Sequence, residues 1–186
     1  MPSNVSGAIS FIIGALAQLY LLVLVLRFWL PWLKADFRNP LAQAILRLTS
    51  PLIVPLRRIV PAIGRLDSAT LLVAFAVQYL TILLILFIKG GTAGIAAIAL
   101  TSIVDLVLLT LNLFMFAIII RIILSWVAQG AYNPAVAIIT TLTEPILQPF
   151  RRYMPRMGGL DISPLFAIIF IVAATILIGG FRPLPI

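Results

Sequence analysis

The sequence predicts an all-α membrane protein with four transmembrane helices, arranged as two parallel two-helix repeats. Its composition is 63% hydrophobic and only 10% charged, whereas a soluble domain is about half apolar and about a quarter charged. An internal repeat aligns residues 27–67 with residues 121–161 without a gap, giving 16 identities in 41 positions. Because the identities include polar and proline motifs, they indicate a duplicated structural unit.

Four apolar runs are long enough to cross a bilayer, which needs about 20 residues for a hydrocarbon core of about 30 Å. The predicted spans cover residues 8–33, 69–88, 103–127 and 164–180, with residues 94–102 as a helical lead-in to the third. Repeat unit 1 is residues 1–90 and repeat unit 2 is residues 91–186. The spans are predicted as helices because lipid cannot satisfy free backbone groups.

The even number of spans in each unit predicts the orientation of the repeats. Unit 2 starts on the same side as unit 1, so the repeats are parallel and related by an axis near the membrane normal. Lys89 and Arg182 lie on one side, whereas nine of the 13 basic residues lie in the two connectors: Lys34, Arg38, Arg47, Arg57, Arg58, Arg65, Arg151, Arg152 and Arg156. The positive-inside rule then predicts cytoplasmic connectors and periplasmic termini in a multi-pass protein of a bacterial inner membrane.

Each connector contains a segment with an amphipathic pattern. This segment begins with Asn-Pro, at Asn39-Pro40 and Asn133-Pro134. Asn is a favoured N-cap and Pro a favoured first helical residue. Apolar residues follow at positions i, i+3, i+4 and i+7, which predicts a short interfacial helix with one stripe toward the acyl chains. The stripes are Leu41, Ala44, Ile45 and Leu48 in unit 1, and Ala135, Ile138, Ile139 and Leu142 in unit 2.

A proline-rich motif, T-x-P-x-x-x-P-x-R-R-x-x-P, follows in both connectors. Its prolines are predicted to end the connector helix and to break the chain into short turns, since proline cannot donate a backbone hydrogen bond. Its arginines suit bidentate contacts with the phosphates of anionic lipid headgroups; the alternative is a connector that only routes the chain. The residues are Pro51, Pro55, Arg57, Arg58 and Pro61 in unit 1, and Pro145, Pro149, Arg151, Arg152 and Pro155 in unit 2.

Several polar residues near or inside the spans carry separate predictions. Asp67 and Asp161 each precede a span and are expected to cap it, with pairing to Arg58 or Arg152 as a compatible alternative. Gln18 and Asn112 occupy equivalent positions in the first spans and are expected to form an interhelical hydrogen bond. Arg27 and Arg121 lie near the connector ends of the first spans and are expected to snorkel to the interface. Asp105 has no acidic counterpart in the other repeat and is expected near the outer surface.

The residue inventory argues against an enzyme. The chain has no cysteine and no histidine, and only five acidic residues. The commonest general base and the commonest metal ligands are therefore missing, so no catalytic, cofactor or metal site is predicted. The net charge of +8 is assigned to contact with anionic lipid and not to nucleic acid.

The duplicated motifs resemble those of the YggT (YlmG-like) family of bacterial inner-membrane proteins, in its double-unit form. The resemblance covers nearly the whole chain and rests on four motifs: R-x-x-L-x-W, Asn-Pro, the proline and Arg-Arg motif, and G-x-L-D. In this chain three residues separate the paired prolines instead of two. The family has no agreed biochemical activity. Relatives are associated with cell-division gene neighbourhoods, with osmotic or potassium tolerance and, in plastids, with membrane organisation and the assembly of cytochrome b-type complexes. The resemblance implies no catalytic residue.

Two functions therefore stand as hypotheses. The first is a non-catalytic membrane-organising or complex-assembly factor, acting in envelope, division or osmotic homeostasis through its basic cytoplasmic connectors. Its partners would be anionic phospholipid headgroups and a membrane protein or a second copy of the chain. The second is a small oligomeric ion channel or transport component, with pore-facing groups drawn from Gln18, Asn112, Arg27, Arg121 and Asp105.

Overall fold

The computed structural model describes residues 3–64, 66–127, 133–153 and 161–184, which form six α-helices and no strand. The all-helical class is therefore confirmed. The helices are α1 (Ser3–Trp32), α2 (Pro40–Arg57), α3 (Ser68–Lys89), α4 (Ile95–Val127), α5 (Pro134–Tyr153) and α6 (Ser163–Gly179).

Three of these helices, α1, α3 and α4, are long and apolar enough to cross a membrane. The predicted third span and its lead-in form one continuous helix of 33 residues. Helix α6 is equally apolar but has 17 residues. At a rise of 1.5 Å per residue it is about 25 Å long, just short of a hydrocarbon core of about 30 Å.

The helices pack through corresponding contacts in the two halves of the chain. Helix α1 packs against α3, and α4 packs against α6. The connector helix α2 contacts α1 and α3, α5 contacts α4 and α6, and the two connector helices contact each other. One additional contact breaks the correspondence, because α3 packs against α4 whereas α6 makes no comparable contact with α1 within the described residues.

The prediction that prolines end the connector helices is wrong. Helix α2 continues through Pro51 and Pro55, and α5 continues through Pro145 and Pro149. Each internal proline removes one backbone donor, yet both helices continue. Packing of α2 against α1 and α3, and of α5 against α4 and α6, favours the continuous helix.

Helix α2 presents three different faces. At about 100° per residue, its buried Ala42, Thr49 and Ile53 lie on one face. Gln43 and Arg47 lie on a second face. Three exposed leucines lie on a third face, namely Leu41 and Leu48 of the predicted stripe together with Leu52. Protein, apolar and polar faces on one helix match what an interfacial helix requires.

The apolar stripe of α5 differs from the prediction. Ile138 and Leu142 are buried in the larger hydrophobic cluster of the protein and do not face outward. In α2, by contrast, the corresponding Leu48 is 64% exposed. A heptad-like apolar pattern identifies a buried or a lipid-facing stripe equally well, so only the packing of α5 against α4 and α6 distinguishes them.

A tight turn links α2 to α3 in unit 1. Ile63 and Leu66 exchange backbone hydrogen bonds of 3.1 and 3.0 Å around Gly64, whose φ of 63° favours glycine. Ser68 Oγ donates to Pro61 O over 2.6 Å and closes the turn beside Asp67. The corresponding turn in unit 2, which includes Pro155 and Arg156, lies outside the described residues, as does Arg65.

Candidate functional site

The candidate site consists of two connector junctions, each made where a connector helix meets the ends of two spans. Unit 1 contributes Arg27, Thr49, Arg57 and Asp67, and unit 2 contributes Arg121, Thr143, Arg151 and Asp161. Each unit 2 residue lies 94 positions after its unit 1 counterpart.

In the unit 1 junction, Arg27 turns into the protein and binds α2. Its side chain donates to Thr49 Oγ1 over 2.6 Å, to Leu46 O over 3.1 Å and to Ser50 Oγ over 3.3 Å. The residue is 3% exposed. The side chain that was predicted to snorkel is therefore held by hydroxyl and carbonyl acceptors on α2.

The carboxylate of Asp67 organises the rest of this junction. It pairs with Arg57, accepts from Thr70 N and accepts from Thr70 Oγ1 over 2.6 Å. It thereby caps α3, as predicted, while its Oδ2 lies 3.9 Å from Arg27 Nε. Burial alone would raise the pKa of the Asp67 carboxyl, but hydrogen bonds from Arg57 and Thr70 hold that pKa below its ordinary value.

Arg27 is held less completely than Asp67. Its Nε makes no hydrogen bond with any described group, and the distance of 3.9 Å to Asp67 is too long for one. Two arginines therefore face one buried carboxylate, and of these Arg27 is 4% exposed and Arg57 is 46% exposed. A buried cluster of this kind depends strongly on that carboxylate, because its loss would leave the arginines uncompensated.

The unit 2 junction repeats the contact of the first arginine with threonine and that of the second arginine with aspartate, and it contains one additional acid. Arg121 donates to Thr143 Oγ1 over 2.8 Å and pairs with Glu144 over 2.7 Å. Arg151 pairs with Glu144 over 2.9 Å and with Asp161 over 2.8 Å. Arg121, like Arg27, therefore binds the connector helix of its own unit.

The acids of the unit 2 junction are more exposed than Asp67. The side chains of Glu144 and Asp161 are 44% and 42% exposed, against 7% for Asp67. Hydrogen bonding from Arg121 is the main cause that lowers the pKa of Glu144. For Asp161, burial raises the pKa, but bonds from Ser163 and Arg151 outweigh it and lower the pKa.

The acid partners predicted from the sequence need a correction. Asp67 pairs with Arg57 and Asp161 pairs with Arg151, whereas the sequence offered Arg58 and Arg152. One residue further along a helix turns the side chain by about 100°, so only the first arginine of each pair points to the acid. Arg58 and Arg152 are exposed, and their side chains make no ion pair or hydrogen bond within the described residues.

The two connectors are joined at their first residues. Asn39 Oδ1 accepts from Leu41 N, which is the predicted cap of α2, and its Nδ2 donates to Pro134 O over 2.8 Å. In the other connector Asn133 Oδ1 accepts from Ala135 N. The bond from Asn39 crosses from unit 1 to unit 2, so this asparagine fixes both its own helix and the neighbouring connector.

Sequence reasoning missed the acceptors of the junctions. Thr49 and Thr143 were noted only as part of the proline motif, and Glu144 only as one of five acids. A signal existed, because Thr49 and Thr143 belong to the repeat and lie 22 residues after Arg27 and Arg121 respectively. No cluster of metal-ligating side chains occurs in the described part of the chain.

The hydrogen bond predicted between the amides of the first spans is not formed. No hydrogen bond joins Gln18 to Asn112 among the described residues, although both line one polar cavity. Asp105 lies in that cavity, where its carboxylate accepts from Gln78 Nε2 over 2.8 Å and pairs with Arg182 over 2.9 Å.

Comparison with known proteins decides the family. Residues 6–88 and 100–181 each match the CCB3/YggT family model. The chain belongs to the CCB3/YggT family. The two matched segments correspond to the two halves that the internal repeat identified.

Three relatives illustrate the range of similarity within the CCB3/YggT family. An uncharacterised protein of Pseudomonas aeruginosa, PA0392, is 44% identical over 166 residues, which cover 88% of this chain and 84% of that protein. A Vibrio alginolyticus protein from the proC 3′ region is 40% identical over 175 residues, covering 93% and 94%. YggT of Escherichia coli K12 is 34% identical over 168 residues, covering 89% and 86%. No solved structure matches the chain.

Proposed function

We propose that this CCB3/YggT protein is a non-catalytic membrane-organising or complex-assembly factor of the bacterial inner membrane. It crosses the membrane four times, as two parallel units, with both connectors on the cytoplasmic side. Its role lies in the envelope, in division or in osmotic homeostasis, and it acts through the surface formed by the two connectors. A partner membrane protein or a second copy of the chain would bind there together with anionic lipid.

The observation that carries this proposal is that the two arginines of each Arg-Arg pair differ in their contacts. Arg57 and Arg151 hold the connector to the following span through an acid. Arg58 and Arg152 point away from these junctions and are exposed. An exposed guanidinium beside the exposed apolar face of an interfacial helix is well placed for a lipid phosphate, which arginine can bind through two parallel hydrogen bonds.

Lipid retention by the purified protein tests whether Arg58 and Arg152 bind lipid phosphates. Replacing Arg58 and Arg152 with Gln should weaken association with phosphatidylglycerol by about 2 kcal/mol, or roughly thirtyfold, at about 1 kcal/mol per basic residue. The measurement is native mass spectrometry of protein released from anionic and zwitterionic micelles. The matched control replaces Arg47 and Arg38, which lie on the same connector side. An equal loss in both variants would contradict specific arginine sites, since only overall charge would then matter.

The parallel arrangement has its own test. Cysteines placed at Arg58 and at Arg152 should react with a membrane-impermeant reagent from the cytoplasmic face. A cysteine at Gly91, in the segment between α3 and α4, should react from the opposite face. Reaction of the two connector cysteines from opposite faces would contradict the parallel repeats.

Assembly is tested by affinity purification from native membranes with the connectors altered. The variant with Gln at Arg58 and Arg152 should lose membrane-protein partners that co-purify with the wild type, at equal expression. The ion-transport alternative has less support, because Arg27 and Arg121 bind the connector helices and not a pore. Ion flux into liposomes that contain the wild type alone would favour that alternative.

A further inference from the structure

A polar cavity of about 310 Å³ lies between α1, α3 and α4 and is reached by Arg182, which follows α6. Asp105 and Asn112 of α4 line it at about 15 and 26 Å from the start of that helix, measured at 1.5 Å per residue. The cavity therefore extends from the middle of the bundle toward the end opposite the connectors. Its position is within the length that a bilayer would cover.

The charged groups of this cavity neutralise each other. Asp105 pairs with Arg182 through both carboxylate oxygens, over 2.9 and 3.2 Å, and also accepts from Gln78. A free cation would find the lining carboxylate already occupied by a guanidinium, and an anion would face that carboxylate. The lining thus disfavours either kind of ion.

Two amides remain available to a ligand. The side chains of Gln18, an exposed residue, and of Asn112, which is half-buried, both line the cavity and make no hydrogen bond within the described residues. They are equivalent positions of the two repeats, so the duplication brings two amides to one space. Each amide offers both donors and an acceptor, and an amide without a partner is costly away from water.

We propose that this cavity is a water-filled binding site for a small uncharged polar solute, open to the face opposite the connectors. One water occupies about 30 Å³ of liquid, so the space accommodates several waters or one molecule of polyol size. Gln18 and Asn112 would bind the hydroxyl groups of such a solute. The ion pair of Asp105 with Arg182 would fix α3, α4 and the end of α6 around it.

Cysteine accessibility tests the water-filled cavity directly, because the chain contains no cysteine that must first be removed. The variant Asn112→Cys, with Gln18→Cys as a second reporter, is placed in lipid nanodiscs and treated with a membrane-impermeant methanethiosulfonate. The control is Leu84→Cys, which is nearer the helix end but 44% exposed on the outer surface of the bundle. The Asn112 cysteine should react at least about tenfold faster, because thiolate forms in water and not in hydrocarbon. Equal rates would overturn the water-filled cavity.

Glycerol serves as the solute probe. It should slow the reaction of a cysteine at Thr81, which lines the cavity and is not one of the two proposed ligands, in a saturable manner. A cysteine at the exposed Gly91 corrects for any change in the bulk rate. The same concentration of 1-propanol or potassium chloride should not protect. Protection by potassium chloride instead would overturn the assignment of an uncharged ligand, and the absence of protection by glycerol would overturn the solute site.

Discussion

The two connector junctions contain the same arginines, threonine and aspartate at the same spacing, but they differ in burial and in charge. In unit 1 two arginines face the single buried carboxylate of Asp67. In unit 2 the position equivalent to Ser50 is Glu144, so two arginines face two half-exposed carboxylates. The charges of the two junctions therefore differ at one position of the repeat. The unit 1 junction has more arginines than carboxylates, whereas the unit 2 junction has equal numbers and its carboxylates are more exposed.

This difference predicts that the two junctions contribute unequally to stability. Exposed ion pairs contribute little, whereas breaking a buried pair leaves an uncompensated charge in a medium of low polarity. Unit 1 should therefore be the mechanically fixed half of the connector surface. Unit 2 should tolerate changes and be the half in which the connector can adjust to a partner.

The largest expected effect comes from neutralising the two aspartates separately. Asp67→Asn should lower the free energy of unfolding by about 3–5 kcal/mol, because Arg27 and Arg57 would lose their only nearby carboxylate. Asp161→Asn should change it by less than about 1 kcal/mol. Unfolding in mixed detergent micelles measures both. Similar losses in the two variants would contradict the difference between the junctions.

The threonine acceptors should show the same asymmetry on a smaller scale. Thr49→Val removes the shortest hydrogen bond of the buried Arg27 and should cost about 1.5–3 kcal/mol, the range for bonds to charged groups. Thr143→Val should cost less, since Arg121 keeps its ion pair with Glu144. The same unfolding measurement applies, and a greater loss for Thr143→Val would refute the expectation.

Exchanging the residue that distinguishes the junctions sharpens the comparison. Ser50→Glu places a carboxylate where unit 2 has one, within reach of Arg27, so it should recover at least about 1 kcal/mol of the loss caused by Asp67→Asn. The double variant is compared with both single variants in a thermodynamic cycle. Alanine at Ser50 is the control, and it should recover nothing. If the changes in unfolding free energy of Ser50→Glu and Asp67→Asn simply add, a carboxylate at position 50 does not interact with Arg27.

The smallest effect expected is a pH dependence. The pKa of Asp67 is lower in the folded protein than its ordinary value of about 3.9. Its contribution to stability is therefore fully present above that ordinary value and is lost as the pH falls through the folded pKa. Unfolding followed from about pH 6 to about pH 3 should show a shallower acid loss in Asp67→Asn than in the wild type. Identical slopes would mean that Asp67 is not the carboxylate responsible.

Much of the fold follows from residue pattern alone. The apolar runs predicted α3 and α6 to within a residue or two of their bounds, because a bilayer-length helix is specified by local hydrophobicity. Asn39 and Asp67 were correctly assigned as caps, since a cap is a contact between residues two or three positions apart. The four-span topology, the boundaries of the two units and the lipid contacts stay predictions.

The errors have a common physical origin. The connector prolines suggested broken turns, yet α2 and α5 are continuous helices that pack against the bundle. The direction in which Arg27 and Arg121 point depends on a helix that is distant in sequence. The choice of Arg57 over Arg58 as the partner of Asp67 depends on the angle at which α2 lies on α3.

By itself the sequence determined the helical class, the duplication, the caps at Asn39 and Asp67 and the absence of cysteine and histidine, because these are encoded locally or in composition. The predicted cap at Asp161 was wrong, because the N-cap of α6 is Ile162. The tertiary structure decided which arginines are buried, which acids they meet and which polar groups line the cavity of Asp105. Those properties depend on distances between helices that the chain brings together only on folding. Burial then decides their energy, since the same arginine and carboxylate are nearly neutral to stability in water and strongly coupled inside a bundle.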